Sequence, residues 1–106
     1  MLNQKYLDAI AACQQCIVDC SICLHEMATK ESMNDCPKCC IQCITACRTA
    51  IDMMTADSKW AKDYVKLCKE ICEWCYSQCK EHNHDHCQCC AVSCKTCIEV
   101  LEKIAA

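Results

Sequence analysis

A chain of 106 residues has room for one domain around one modest core. It contains no Gly, no Phe and a single Pro, which argues against loop-rich and β-rich folds, whose turns lean on Gly and Pro. The net charge of −3 is mild: no basic run marks a nucleic-acid partner, and no acidic tail marks a disordered segment.

The first predicted helix covers about 3–29. Cys13, Cys16, Cys20 and Cys23 are spaced C-x2-C-x3-C-x2-C. At 100° per residue the four sulfurs fall in a narrow arc on one face. Leu2, Tyr6 and Ala9 extend that stripe backward and Met27 extends it forward, with Ile10, Ile17 and Leu24 beside it. Cysteine stands where leucine usually stands in an amphipathic helix. His25 falls on the far side, as a surface residue. A break follows at Lys30–Asp35. Pro37 fits only a first helical turn, so the second helix begins near it, with Asn34 or Asp35 as N-cap, and covers about 35–54. Its cysteines, Cys36, Cys40, Cys43 and Cys47, read C-x3-C-x2-C-x3-C, with Cys39 at the edge of the same face and Ala50, Ile51 and Met54 continuing it.

Thr55–Ser58 forms the second break, with Asp57 or Ser58 as cap. The third helix covers about 59–81 and repeats the second spacing at Cys68, Cys72, Cys75 and Cys79, preceded by Ala61, Tyr64 and Val65. The third break is His82–Asp85. The fourth helix covers about 86–103, with Asp85 and Gln88 resembling a capping pair. Cys87, Cys90, Cys94 and Cys97 return to the first spacing, and Leu101 and Ile104 continue the stripe. Cys89 lies roughly 110° from the stripe by the helical wheel, outside the core set.

Sixteen of the 18 cysteines thus lie on four helical stripes, and both spacings are palindromes. Short connections make neighbouring helices antiparallel. The expected fold is all-α: an up-down-up-down four-helix bundle with a Cys-lined core, formed by residues 1–106 as one domain. Its two ends differ. One is a dry plug of Leu2, Tyr6, Ala9, Met54, Ala61, Tyr64, Leu101 and Ile104. The other is a mouth where Met27, Met33, Cys36, His82, His84, His86 and Cys87 collect.

On a helix, residues three or four apart have Cβ atoms about 5–6 Å apart, so paired thiolates can close on one ion. Soft thiolates select Cu(I), Zn(II) or iron–sulfur clusters. Zinc wants a tetrahedron of ligands, usually at knuckles and loops, and a helix face would need cross-helix pairing to supply it. Clusters want cysteines wrapped round them from a loop, and no loop here holds such a run. Cu(I) accepts low coordination. Charge balance favours it too: a univalent ion shared among bridging thiolates approaches neutrality at about one ion per thiolate, whereas a divalent ion on four leaves net negative charge inside. Without metal, a thiol of pKa about 8.5 stays protonated at neutral pH and packs as a small hydrophobe, so the metal-free chain can fold and metal uptake releases protons.

The ligand set read from these patterns is Cys13, Cys16, Cys20, Cys23, Cys36, Cys39, Cys40, Cys43, Cys47, Cys68, Cys72, Cys75, Cys79, Cys87, Cys90, Cys94 and Cys97. His82, His84, His86 and Met33 guard admission. No basic-then-apolar leader opens the sequence and no run of about 18 apolar residues is visible, so a cytoplasmic chain with reduced thiols and no membrane partner is expected. Two other readings remain: a zinc or general soft-metal buffer, and a disulfide-stapled or thiol-redox helical protein. No oxyanion device, Gly-rich loop or substrate pocket accompanies Cys87 and its histidines, so no enzyme is expected.

The four Cys-striped helices and the run HNHDHCQCC (His82–Cys90) resemble the bacterial copper storage proteins, specifically their cytosolic branch, along the whole chain. The resemblance implies a four-helix bundle, usually a homotetramer, that fills its core with many Cu(I) ions. It implies that most ions are held by two thiolates, many from C-x3-C pairs, and that metal enters at the His-bearing end. A copper chaperone or recipient cuproenzyme is not specified by it. Cys39 and Cys89 depart from the barest form of the pattern.

Overall fold

The structure is a computed structural model and describes residues 4–105. Leu2 and the expected start of the first helix at Asn3 lie outside the described residues. Four helices follow one another: α1 (Gln4–Met27), α2 (Cys36–Thr55), α3 (Ala61–Cys79) and α4 (Asp85–Ala105). No strand occurs among the described residues. Each helix packs on two neighbours, α1 and α3 both lying between α2 and α4, while the diagonal pairs do not pack backbone against backbone. The result is the four-helix bundle expected, a rod of 44 × 21 × 18 Å.

The helices form because each has one apolar stripe and a polar remainder, with no Gly or internal Pro to break it. One continuous core runs through all four, from Ala9, Met54, Val65 and Leu101 at one end, through the cysteines, to Met27 at the other. Polar ties fix neighbouring helices around it. Ser93 Oγ donates to the Asp19 carboxylate between α4 and α1. Lys69 on α3 pairs with Glu102 on α4 at 3.4 Å.

The connections differ from expectation in detail. Asp35 holds the N-cap position of α2 but makes no side-chain cap. Asn34 does the capping instead: its Oδ1 accepts the Cys36 N–H at 2.9 Å. Its Nδ2 also donates to the Gln78 carbonyl at 2.9 Å, stitching the first loop to the end of α3. Asp57 turns the second loop with a left-handed φ of 50°, and Ser58 Oγ accepts the Trp60 N–H at 3.1 Å. In the third loop the Asp85–Gln88 capping pair does not form. Gln88 Nε2 reaches back to the carbonyls of Lys80 and His82, because that loop folds over the start of α4.

Two further expectations are corrected. Tyr64 is exposed and does not plug the bundle; Val65, one position on, is the residue fully buried there. Tyr6 is half-buried against the core. And α1 does contain a segment, Tyr6–Met27, long and apolar enough by length and composition to cross a membrane, with mean hydropathy 1.4. Much of that apolarity is cysteine turned into the bundle, while Gln14, Gln15 and Glu26 face outward.

Asn34→Ala removes a cap and the bond from the first loop to α3 together. It is expected to cost about 1–2 kcal/mol, read as a lower urea midpoint of the reduced, metal-free protein. An unchanged midpoint would mean the first loop is not held by this side chain.

Candidate metal centre

All 18 cysteines are free thiols; 17 are buried and only Cys89 is exposed. Every cysteine expected in the ligand set lies in the core at 0% exposure. Cys39, expected at the edge of the face, is among them. Its position three residues after Cys36 and four before Cys43 was the signal for this.

The sulfurs form ladders. Between α1 and α4, Cys13 meets Cys97 at 3.7 Å, Cys16 meets Cys94 at 3.8 Å, Cys20 meets Cys90 at 3.5 Å and Cys23 meets Cys87 at 3.6 Å. Residue numbers rise on one helix as they fall on the other, so these helices are antiparallel. The match holds at every rung because both carry the same palindromic spacing. Between α2 and α3, Cys36 meets Cys79 at 3.4 Å, Cys43 meets Cys72 at 3.7 Å and Cys47 meets Cys68 at 3.8 Å. The two ladders are joined by Cys16 to Cys43 at 3.6 Å, Cys23 to Cys36 at 3.8 Å and Cys79 to Cys90 at 3.6 Å. Across the diagonal, Cys40 reaches Cys90 at 3.9 Å. Within one helix, Cys16 and Cys20, and Cys75 and Cys79, stand 3.9 Å apart.

Many sulfurs therefore gather in fours. In each of five quartets all four sulfurs lie within 4.8 Å of one another: Cys16/Cys43/Cys47/Cys72, Cys16/Cys20/Cys43/Cys94, Cys20/Cys40/Cys75/Cys90, Cys23/Cys40/Cys79/Cys90 and Cys36/Cys39/Cys40/Cys79. Shared members such as Cys40 and Cys90 make this a continuous array. A thiolate with sulfurs on several sides can bridge ions, which an isolated site cannot do.

The thiol protons are distributed by these contacts. The Cys16 thiol is drawn below its ordinary value, first by its hydrogen bond with Cys20, and Cys20 is pushed up by the same bond. Cys36 is pulled down by Cys23 and Cys39 and up by Cys40, Cys79 and burial, and ends above its ordinary value. Burial raises Cys87. The first proton of a linked pair is thus easier to lose than the second, as expected when one remaining S–H bridges two sulfurs.

The mouth carries the histidines. His82 is buried; its Nε2 lies 3.2 Å from Ser32 Oγ and its Nδ1 lies 3.3 Å from the Gln78 carbonyl. His84 is exposed. It stacks between His82 and His86, with ring centroids 6.3 Å and 5.2 Å away. His86 puts Nδ1 3.5 Å from Cys87 Sγ. Its Nε2 is buried with no hydrogen-bond partner. Burial, then Lys30 and His84, hold His86 below the usual imidazole value, so the ring is neutral at pH 7. Met33 is not brought to the core; it is 71% exposed in the first loop, whereas Met27 is buried beneath it in sequence at the end of α1. Ser32 is a contact of His82 that no spacing in the sequence signalled. His25 lies on the surface, Nδ1 2.7 Å from the Ser21 carbonyl.

The copper storage protein family profile matches residues 2–106. The chain is 35% identical over 100 residues to the uncharacterized cysteine-rich protein YhjQ of Bacillus subtilis (strain 168), covering 94% of this chain and 89% of that one. Among solved structures it is similar to the Cu(I)-bound copper storage protein BsCsp3, with a TM-score of 0.92, 34% identity and coverage of 97% of this chain and 100% of the other. It is also similar to apo-Csp3 (copper storage protein 3) from Bacillus subtilis, with a TM-score of 0.88, 35% identity and coverage of 93% and 97%.

Raised thiols have a stability consequence. In an unfolded chain a thiol titrates at about 8.5, while Cys36 and Cys87 hold their protons to higher pH in the folded state. Their contribution to folding is complete below about pH 8.5 and is lost as pH climbs toward the folded values, because the unfolded chain ionises first. The denaturation midpoint of the reduced, metal-free protein is expected to fall as pH rises beyond about 8.5. A midpoint that rises there would contradict the assignment.

Proposed function

The chain belongs to the copper storage protein family, and from that premise we propose that it stores Cu(I) in the thiol core of its bundle. The observation that carries this reading is the array itself: 17 buried free thiols in mutual contact, with no disulfide among them. The ion is cargo rather than a cofactor, and storage is a non-enzymatic role.

The proposed ligands are the 17 buried cysteines. Each incoming Cu(I) displaces a thiol proton, so the site exchanges one positive charge for another and the core stays close to neutral. Sulfurs 3.4–4.0 Å apart (Cys36–Cys79 and Cys40–Cys79 are the extremes) suit an ion lying between two of them. Little rearrangement is needed, because the side chains already face one another before metal arrives. A zinc buffer is the weaker alternative, since filling the whole array with divalent ions would leave uncompensated charge at each centre. A disulfide framework finds no support in thiols that are all free.

Admission runs through the mouth. His86, neutral and with one buried nitrogen lacking a partner, lies beside Cys87. Cys87 contacts Cys23, which contacts Cys36, and Cys36 contacts Cys79. An ion passed from His86 to Cys87 therefore meets a connected path of sulfurs. His82 and His84 are assigned to the same passage by their stacking on His86, and Met33 to its outer approach. The opposite end is closed by Met54, Val65, Leu101 and Ile104.

The whole of residues 1–106 serves as one storage domain in the cytoplasm, where thiols remain reduced. A homotetramer is supported by the apolar side chains left exposed on α1 (Leu7, Val18, Ile22) and by a groove of about 310 Å³ between α2 and α3, lined by Ile41, Tyr64 and Leu67. Sedimentation at micromolar concentration reads that assembly directly.

Titration of the reduced metal-free protein with Cu(I), against a strong Cu(I) chelator, is expected to saturate only as the ion count approaches the 17 buried thiols. Saturation after one or two ions would end the storage reading. Replacing His82, His84 and His86 together by Ala is expected to slow uptake by roughly tenfold, the scale of losing partners around a metal path, with capacity nearly unchanged. An uptake rate equal to that of the parent would place the entrance elsewhere.

A further inference from the structure

One quartet differs from the others. Cys36, Cys39 and Cys40 all come from the first turn of α2, and Cys79 from the last residue of α3. The other four quartets described above each draw on three or four helices. Cys39 occurs in none of those four. We propose that Cys36, Cys39, Cys40 and Cys79 form a tetrathiolate site for one divalent, tetrahedral ion of the Zn(II) class in the copper-free protein.

The geometry fits such an ion. Zn–S bonds of about 2.3 Å place tetrahedral sulfurs about 3.8 Å apart. Cys79 stands 3.4 Å from Cys36 and 4.0 Å from both Cys39 and Cys40, and no pair in the quartet exceeds 4.8 Å. Cys36 and Cys39 have the C-x2-C spacing common in structural zinc sites, and Cys79 supplies the cross-helix ligand. All four residues are fully buried, so the site is closed to a water ligand.

Four thiolates around a divalent ion carry a net −2. Cys36, Cys39 and Cys40 lie in the first turn of α2, whose macrodipole favours negative charge, while Cys79 lies at the last residue of α3, whose macrodipole opposes it, so the sulfur geometry and not the helix dipole singles out this quartet. Cys39 has no rung in the ladders. Its S–H points to the Cys36 carbonyl at 2.9 Å, a weak bond readily given up to a metal. Binding expels up to four thiol protons and pins the start of α2 to the end of α3, beneath the mouth. The same sulfurs also belong to the copper array, so Cu(I) arriving there displaces the divalent ion.

The test uses the full-length reduced protein without metal, titrated anaerobically with Co(II) as a spectroscopic probe and then with Zn(II). One equivalent of Co(II) is expected to give the intense visible and charge-transfer bands of a tetrahedral tetrathiolate, and one equivalent of Zn(II) to abolish them. Cys39→Ser is expected to weaken Co(II) binding by more than about tenfold and to alter those bands. Cys89→Ser, at the exposed thiol outside the ligand set, is expected to bind Co(II) as the parent does. The proposal is overturned if parent Co(II) stays octahedral, if several equivalents bind with the same bands, or if the two variants behave alike. The parent spectrum and stoichiometry decide the matter even if a variant fails to fold. Cu(I) capacity is measured separately on the same parent protein: its loss would sink the storage reading and leave this one standing.

Discussion

The whole bundle depends on sulfur meeting sulfur across antiparallel helices. Two antiparallel helices bring equal spacings into register only if the spacing reads the same in both directions. Cys13–Cys23 and Cys87–Cys97 share one palindrome, and α1 and α4 are neighbours; Cys36–Cys47 and Cys68–Cys79 share the other, and α2 and α3 are neighbours. The rungs therefore fall at 3.5–3.8 Å along the whole α1–α4 contact (Cys20–Cys90 to Cys16–Cys94) without any local distortion. Neighbours of unlike spacing, α1 with α2 and α3 with α4, also meet through sulfur, at Cys16–Cys43, Cys23–Cys36 and Cys79–Cys90.

The second constraint is charge. A thiol is a small hydrophobe and a thiolate is an ion, and the difference is one proton. The same side chains thus build a dry core when protonated and a dense ligand array when not. The chain does not have to choose between stability and capacity, provided that each proton lost is replaced by a cation.

The third feature is direction. Polar chemistry collects at one end, where Asn34, Gln78 and Gln88 tie the first and third loops over Cys36, Cys79 and Cys87. The far end is aliphatic and closed. The three stacked histidines, His82, His84 and His86, stand at this polar end.

The helix count, their order, the striped faces and the identity of nearly every core sulfur were legible in the sequence, because helical periodicity acts locally and each stripe can be read alone. The polar mouth was legible too, since short loops dictate which helix ends lie together. What the tertiary structure decided were matters of which atoms meet. Tyr64 and Val65 sit on the same stripe edge, and only packing against neighbouring helices left the first exposed and buried the second. Asp35 and Asn34 were equal candidates for the cap, and the reach of Asn34 to the Gln78 carbonyl on α3 separated them. Met33 lies near the histidines in sequence yet faces solvent, because a loop has no periodicity to aim a side chain. Cys39 shows the limit most directly. Its spacing put it at the edge of a stripe; the approach of Cys79 from another helix is what completes a quartet around it.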